Sequence, residues 1–177
     1  MRLELGKRAD YAVRAAVDLA RHVDHGERRK AQAIAEEMAI PPSYVPQILA
    51  LLVRSGIAVS VAGPGGGYVL AKDPAEIDLL QVIEAIDGEL VSTACILRGG
   101  PCRWDDMCAV HLPWARAQQA MRDALAASTL SELVANDRAL EAGTFEVPAE
   151  LSRPAARAVP EDGAPSADDV PRYDEAR

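Results

Sequence analysis

The sequence predicts a mainly α-helical fold with a small β-hairpin wing, extended by one long helix. Three observations predict it. Three short helical segments fill the first 54 residues, two apolar runs flank a glycine-rich hexapeptide at 62–67, and a long amphipathic stretch runs from Leu112 to about Ala126.

The elements follow in order. Tyr11, Ala15, Leu19 and Val23 recur every four positions, which predicts a helix from Arg8 to about Val23. Asp24-His25-Gly26-Glu27 breaks it, and a short second helix is expected from Ala31 to Met38. Ile40-Pro41-Pro42 ends that helix in a turn. Ser43 is read as the N-cap of a third helix over Tyr44–Arg54 that turns Ile48, Leu51 and Leu52 inward. Pro46 lies in its first turn, where the missing amide has no intrahelical partner to lose. Ser55-Gly56 supplies a left-handed stop.

Ile57–Val61 and Tyr68–Leu70 read as paired strands around the tip Ala62-Gly63-Pro64-Gly65-Gly66-Gly67. A short helix, a four-residue turn and a third helix followed by a hairpin make a winged helix-turn-helix. Further on, Asp78 caps a helix over Leu79–Ile86. Pro113 opens the long helix, and Thr129 with Glu132 has capping-box spacing for a last helix to about Leu140. From Gly143, Pro, Ala, Asp and Glu dominate without period. The expected organisation is a winged helix-turn-helix at 1–88, a cysteine-rich loop at 89–111, helices at 112–142 and a disordered acidic tail at 143–177.

Composition bounds the function. One Phe and two Trp leave little for aromatic platforms that stack single-stranded bases, which argues against that class of binding. No apolar window approaches the length of about 18 residues that spans a bilayer. Charged residues from Lys7 onward interrupt any signal peptide, so a cytoplasmic location with no membrane partner is expected. The net charge of −8 is unevenly spread: residues 1–72 carry +3 and the remainder −11. A basic N-terminal part is compatible with DNA binding there.

The glycine tip is not a nucleotide loop. A dinucleotide fingerprint needs glycine where Tyr68 stands and a helix afterwards. As a wing tip, Gly63, Pro64 and Gly65 let backbone approach DNA phosphates closely. Ser43, Tyr44 and Gln47 occupy the first turns of the third helix, where base edges are read, and Gln pairs with adenine. Lys7, Arg54 and the run Arg28-Arg29-Lys30 are candidate phosphate contacts.

The sharpest constellation is Cys95-x6-Cys102-x5-Cys108-x2-His111. Three thiols and an imidazole suit an iron–sulfur cluster or a zinc ion, and the paired Cys-x2-Cys knuckles of most structural zinc sites are missing. Reduced thiols sensing oxidation without any metal are a further reading. Cys108 with His111 lacks a third orienting group and a cofactor fingerprint, so an enzyme is not expected.

Met1-Arg2-Leu3, Asp10-Tyr11-Ala12-Val13-Arg14-Ala15, Pro42-Ser43-Tyr44, Gly63-Pro64-Gly65-Gly66-Gly67-Tyr68 and the three-cysteine loop together resemble the bacterial iron–sulfur winged-helix transcription regulators. The resemblance spans about Met1 to Leu140. It implies a homodimer joined through the long helix and bound to near-palindromic double-stranded operator DNA. It further implies a cluster on Cys95, Cys102 and Cys108 that changes operator affinity in response to redox state, nitric oxide or cluster supply. Family members differ in the fourth ligand, which matches either His111 or Asp10 from the partner subunit. His111 is preferred, and with it [2Fe–2S] over [4Fe–4S]. Cluster-free thiol sensing and a zinc-stapled Cys3His module stay open. Three features depart from the relatives: a first cysteine spacing longer by one residue, Ala62 in place of a wing Arg, and Pro46 in place of a Glu on the third helix.

Overall fold

The computed structural model describes residues 6–23, 26–90 and 108–147. In chain order these form α1 (Lys7–Arg21), α2 (Ala31–Glu37), α3 (Val45–Arg54), β1 (Ala58–Val61), β2 (Gly67–Leu70), a 3-10 turn (Pro74–Glu76), α4 (Leu79–Asp87), α5 (His111–Ala127) and α6 (Leu130–Glu141). Among the described residues no helix is long and apolar enough to cross a membrane.

α1 is the central element and packs on α2, α3, α4, α6 and β2. Its inward face is mostly alanine (Ala9, Ala12, Ala15, Ala16, Ala20) with Leu19. Alanine is the best helix former and its short side chain lets neighbouring backbones come close. Tyr11 is half-buried, and Val23 is exposed and beyond the helix end, so the four-residue spacing marked only part of the buried stripe.

α3 buries Val45, Ile48, Leu49 and Leu52. Leu49, not Leu51, completes the i, i+3, i+4, i+7 stripe, and Leu51 sits at its margin. Burying each of these Leu and Ile side chains is worth about 1.5–3 kcal/mol against leaving it exposed. The N-cap is Tyr44, with no side-chain cap bond. Ser43 lies one residue earlier because the Tyr44 amide donates to Pro41 O at 2.9 Å and closes a turn over 41–44. Gly56, at φ 73°, ends α3 as expected.

β1 and β2 pair antiparallel in the register Ala58↔Leu70, Val59↔Val69, Ser60↔Tyr68 and Val61↔Gly67. Arg29 adds a one-residue antiparallel bridge on the other edge of β2: its amide donates to Tyr68 O at 2.9 Å and its carbonyl accepts from Tyr68 N at 2.8 Å. The tip requires glycine at 66, where a Cβ would lie 2.1 Å from Val61 O.

The starts of α4 and α6 are fastened to each other. Asp78 Oδ1 accepts from Gln81 N at 2.8 Å and Thr129 Oγ1 from Glu132 N at 3.2 Å, so each helix has its expected cap. Leu79 N donates to Ser128 O and Leu130 N to Ile77 O. α5 packs mainly on α4 and contains no fully buried residue. The expected tail lies, from residue 148, outside the described residues.

Candidate nucleic-acid interface and cysteine centre

Pro46, Gln47, Ala50 and Arg54 are exposed along α3, opposite its buried stripe. Ser43 is exposed in the preceding turn, and Tyr44 is 40% exposed with its ring edge-on to Tyr11 at 5.3 Å. That contact fixes the start of α3 against α1. Lys7 is exposed at the start of α1.

The wing tip is exposed at Gly63, Pro64 and Gly65 and is braced by two cations. Lys30 Nζ donates to Pro64 O at 3.0 Å, and Arg28 Nη1 to Gly65 O at 3.4 Å. Both side chains are exposed and keep further donors, since Lys has three and Arg five. The brace therefore concentrates positive charge at the tip without exhausting it.

Arg29 behaves differently from its two neighbours, and the expectation of a phosphate contact is corrected for it. Its guanidinium turns inward and grips Asp18, with Nε on Oδ2 and Nη2 on Oδ1, both at 2.9 Å. Asp18 is fully buried. The physical reason is that a buried carboxylate requires a paired, hydrogen-bonded cation. The hydrogen bond to Asp18 holds the guanidinium above its usual pKa, against the opposing effect of burial. The sequence signals the burial of Asp18, because position 18 falls between the inward residues Ala15 and Leu19, but not which cation meets it.

Cys108 is half-buried just before α5, and His111 begins that helix, exposed. The His111 amide donates to Cys108 O at 3.0 Å, so their backbones share one turn. A thiolate and an imidazole placed there are chemically suited to an iron–sulfur cluster or zinc. Cys95 and Cys102 lie outside the described residues. Among the described residues no group of three or more His, Cys, Asp and Glu could hold a metal ion. Asp10 is half-exposed on α1 and ion-paired with Arg14 at 3.0 Å, a contact it would have to give up to serve as a ligand.

One carboxylate that the sequence did not flag joins the two halves of the described structure. Glu84 on α4 accepts from the Leu90 amide at 2.8 Å and from Arg122 of α5. It thus binds the chain as it leaves for the cysteine segment and the helix that follows that segment.

The chain is 37% identical to the HTH-type transcriptional regulator IscR of Photorhabdus laumondii over 139 residues, 78% of this chain and 84% of that protein. The Klebsiella pneumoniae protein of the same name is 36% identical over the same shares. Among solved structures, T. potens IscR superposes with a TM-score of 0.62 at 25% identity, covering 82% of this chain and 94% of that one. CymR, the global cysteine regulator of B. subtilis, shares the fold with a TM-score of 0.66 at 22% identity, over 76% and 98% of the two chains. Residues 5–136 match the Rrf2 family, described as iron-dependent transcriptional regulators, and the chain belongs to that family.

Proposed function

We propose that the protein is a homodimeric cytoplasmic regulator that binds double-stranded operator DNA, with an affinity set by an iron–sulfur cluster. The observation that carries the reading is the pairing of an exposed α3 face with a cation-braced glycine wing in a member of this family. α3 enters the major groove, with Ser43, Tyr44 and Gln47 towards base edges. Lys7, Arg28, Lys30 and Arg54 meet phosphates, and Gly63, Pro64 and Gly65 bring backbone amides to them. Two copies meet along α5, whose lack of any buried residue leaves a face for a partner.

Cys95, Cys102 and Cys108 hold the cluster with His111 as fourth ligand, and [2Fe–2S] is the form this set favours. The cluster supplies a redox- and ligand-sensitive group whose state selects between two arrangements of the dimer. Control requires that these arrangements differ in affinity for DNA. Cys108 and His111 sit at the start of α5, and Glu84 carries any shift of that helix to α4.

Anaerobic purification with iron and sulfide counts and a visible spectrum tests the reading. The expected protein is brown and contains equal iron and sulfide. His111→Ala is expected to alter the spectrum more than Asp10→Ala. A colourless protein with one zinc would replace the cluster by a Cys3His staple. Metal-free protein whose DNA binding follows thiol oxidation would make it a thiol sensor.

A further inference from the structure

The exposed side of α3 offers few hydrogen-bonding groups to a base. Pro46, Gln47, Ala50 and Arg54 fall within an arc of about 100° at 3.6 residues per turn. Among these four, Gln47 is the one uncharged side chain that can donate and accept. Arg54 lies about 10 Å further along the axis, at the end of the helix. Apolar surface flanks Gln47: the Pro46 ring beside it and the Ala50 methyl one turn on.

That surface continues past Pro46 into an open cleft of about 550 Å³, floored by Ala35, Ile40, Pro42 and Val45. Two polar side chains at its rim are joined to each other, with Gln32 Nε2 donating to Glu36 Oε1 at 2.9 Å. The small size of Ala50 lets the helix backbone come close to whatever it faces. A proline at the second helical position presents carbon only and withdraws no hydrogen bond from the helix.

In the major groove the apolar feature that base pairs display is the 5-methyl group of thymine. We propose that α3 reads its operator through thymine methyl groups held against Pro46 and Ala50, on base pairs neighbouring the adenine addressed by Gln47. The inference rests on the placement of α3 in the major groove given above. Four residues of helix advance about 6 Å, under two base-pair steps of about 3.4 Å. The thymines and the adenine therefore fall in one short A·T block of each half-site.

The test begins with the full chain and a random duplex pool, from which a preferred duplex is selected. Each thymine is then replaced singly by deoxyuridine, which removes the methyl and keeps every hydrogen-bonding atom. Affinity is expected to fall about fourfold at one or two positions per half-site, the worth of one buried methyl-sized group. In Ala50→Gly and Pro46→Ser, each verified as folded by circular dichroism, the penalty at one of those positions is expected to disappear. Equal binding of thymine and deoxyuridine duplexes by the wild type overturns the methyl reading and leaves the DNA interface standing. Penalties that persist unchanged in both variants overturn the assignment to Pro46 and Ala50. A pool that yields no preferred duplex overturns the placement of α3 and this inference with it.

Discussion

Arg29→Met is expected to destabilise the protein strongly while leaving its contact with DNA nearly unchanged. Asp18 has no solvent exposure, the Arg29 side chain is 16% exposed, and both carboxylate oxygens accept a guanidinium N–H at 2.9 Å. Removing one partner of such a pair leaves an uncompensated buried charge and costs about 3–5 kcal/mol. An exposed pair would be worth at most about 1 kcal/mol. For a chain of this size each kcal/mol moves the melting temperature by about 2–4 °C, so a fall on the order of 10 °C is expected. Urea unfolding followed by circular dichroism, at fixed protein concentration, measures the loss. The double variant Asp18→Leu with Arg29→Met is expected to recover most of it, because apolar residues of similar size need no counter-charge. Below the melting range Arg29→Met should keep the wild-type slope of log affinity against log salt, since the methionine retains the two backbone bonds to Tyr68. A loss under about 1 kcal/mol, or a salt slope lowered by one unit, would refute the inward role assigned to Arg29.

Arg54→Ala is expected to lower that same slope by about one unit with little change of sequence preference. Gln47→Ala should instead relax one operator position, by about 1–3 kcal/mol, at constant slope; salt titrations on operator and scrambled duplexes distinguish the two. Gly66→Ala would drive a Cβ to within 2.1 Å of Val61 O and 2.9 Å of Gly63 O. The tip must then rebuild, and DNA affinity should drop in a gel-shift titration while thermal melting stays close to wild type. Asp78→Ala removes the acceptor for Gln81 N and should cost about 1 kcal/mol in urea unfolding.

Much of the fold was legible because its signals are local. Asp78 and Thr129 announce α4 and α6 by cap chemistry, Gly56 marks the end of α3, and the glycine run places the hairpin tip. The start of α3 was misread by one residue because a cap preference for Ser43 competed with a turn closed by backbone atoms from Pro41 to Tyr44. Leu49 and Leu51 could not be separated by composition, since the run from Ile48 to Val53 is apolar throughout. The ion pair between Asp18 and Arg29 joins a helix to a loop residue 11 positions away, which no periodicity encodes. The same holds for Glu84 and Arg122, 38 positions apart. At the site, the basic run at 28–30 was visible as charge, but only three-dimensional packing decides which of its members face solvent.

The attachment of α5 has a mechanical consequence. This helix is about 25 Å long and leans mainly on α4, with the Glu84–Arg122 contact as a pin. A rod pinned at one point swings about it more readily than it slides. A swing of about 5° about Arg122, roughly 16 Å from the His111 end, would carry that end by about 1.4 Å, a sizeable part of the base-pair rise of about 3.4 Å. In the proposed dimer joined through α5 the two copies of α3 would straddle half-sites about 34–36 Å apart, and each subunit would add its own displacement. Angular play at a single carboxylate would thereby become a mismatch of span on the DNA, with the recognition surfaces themselves unchanged.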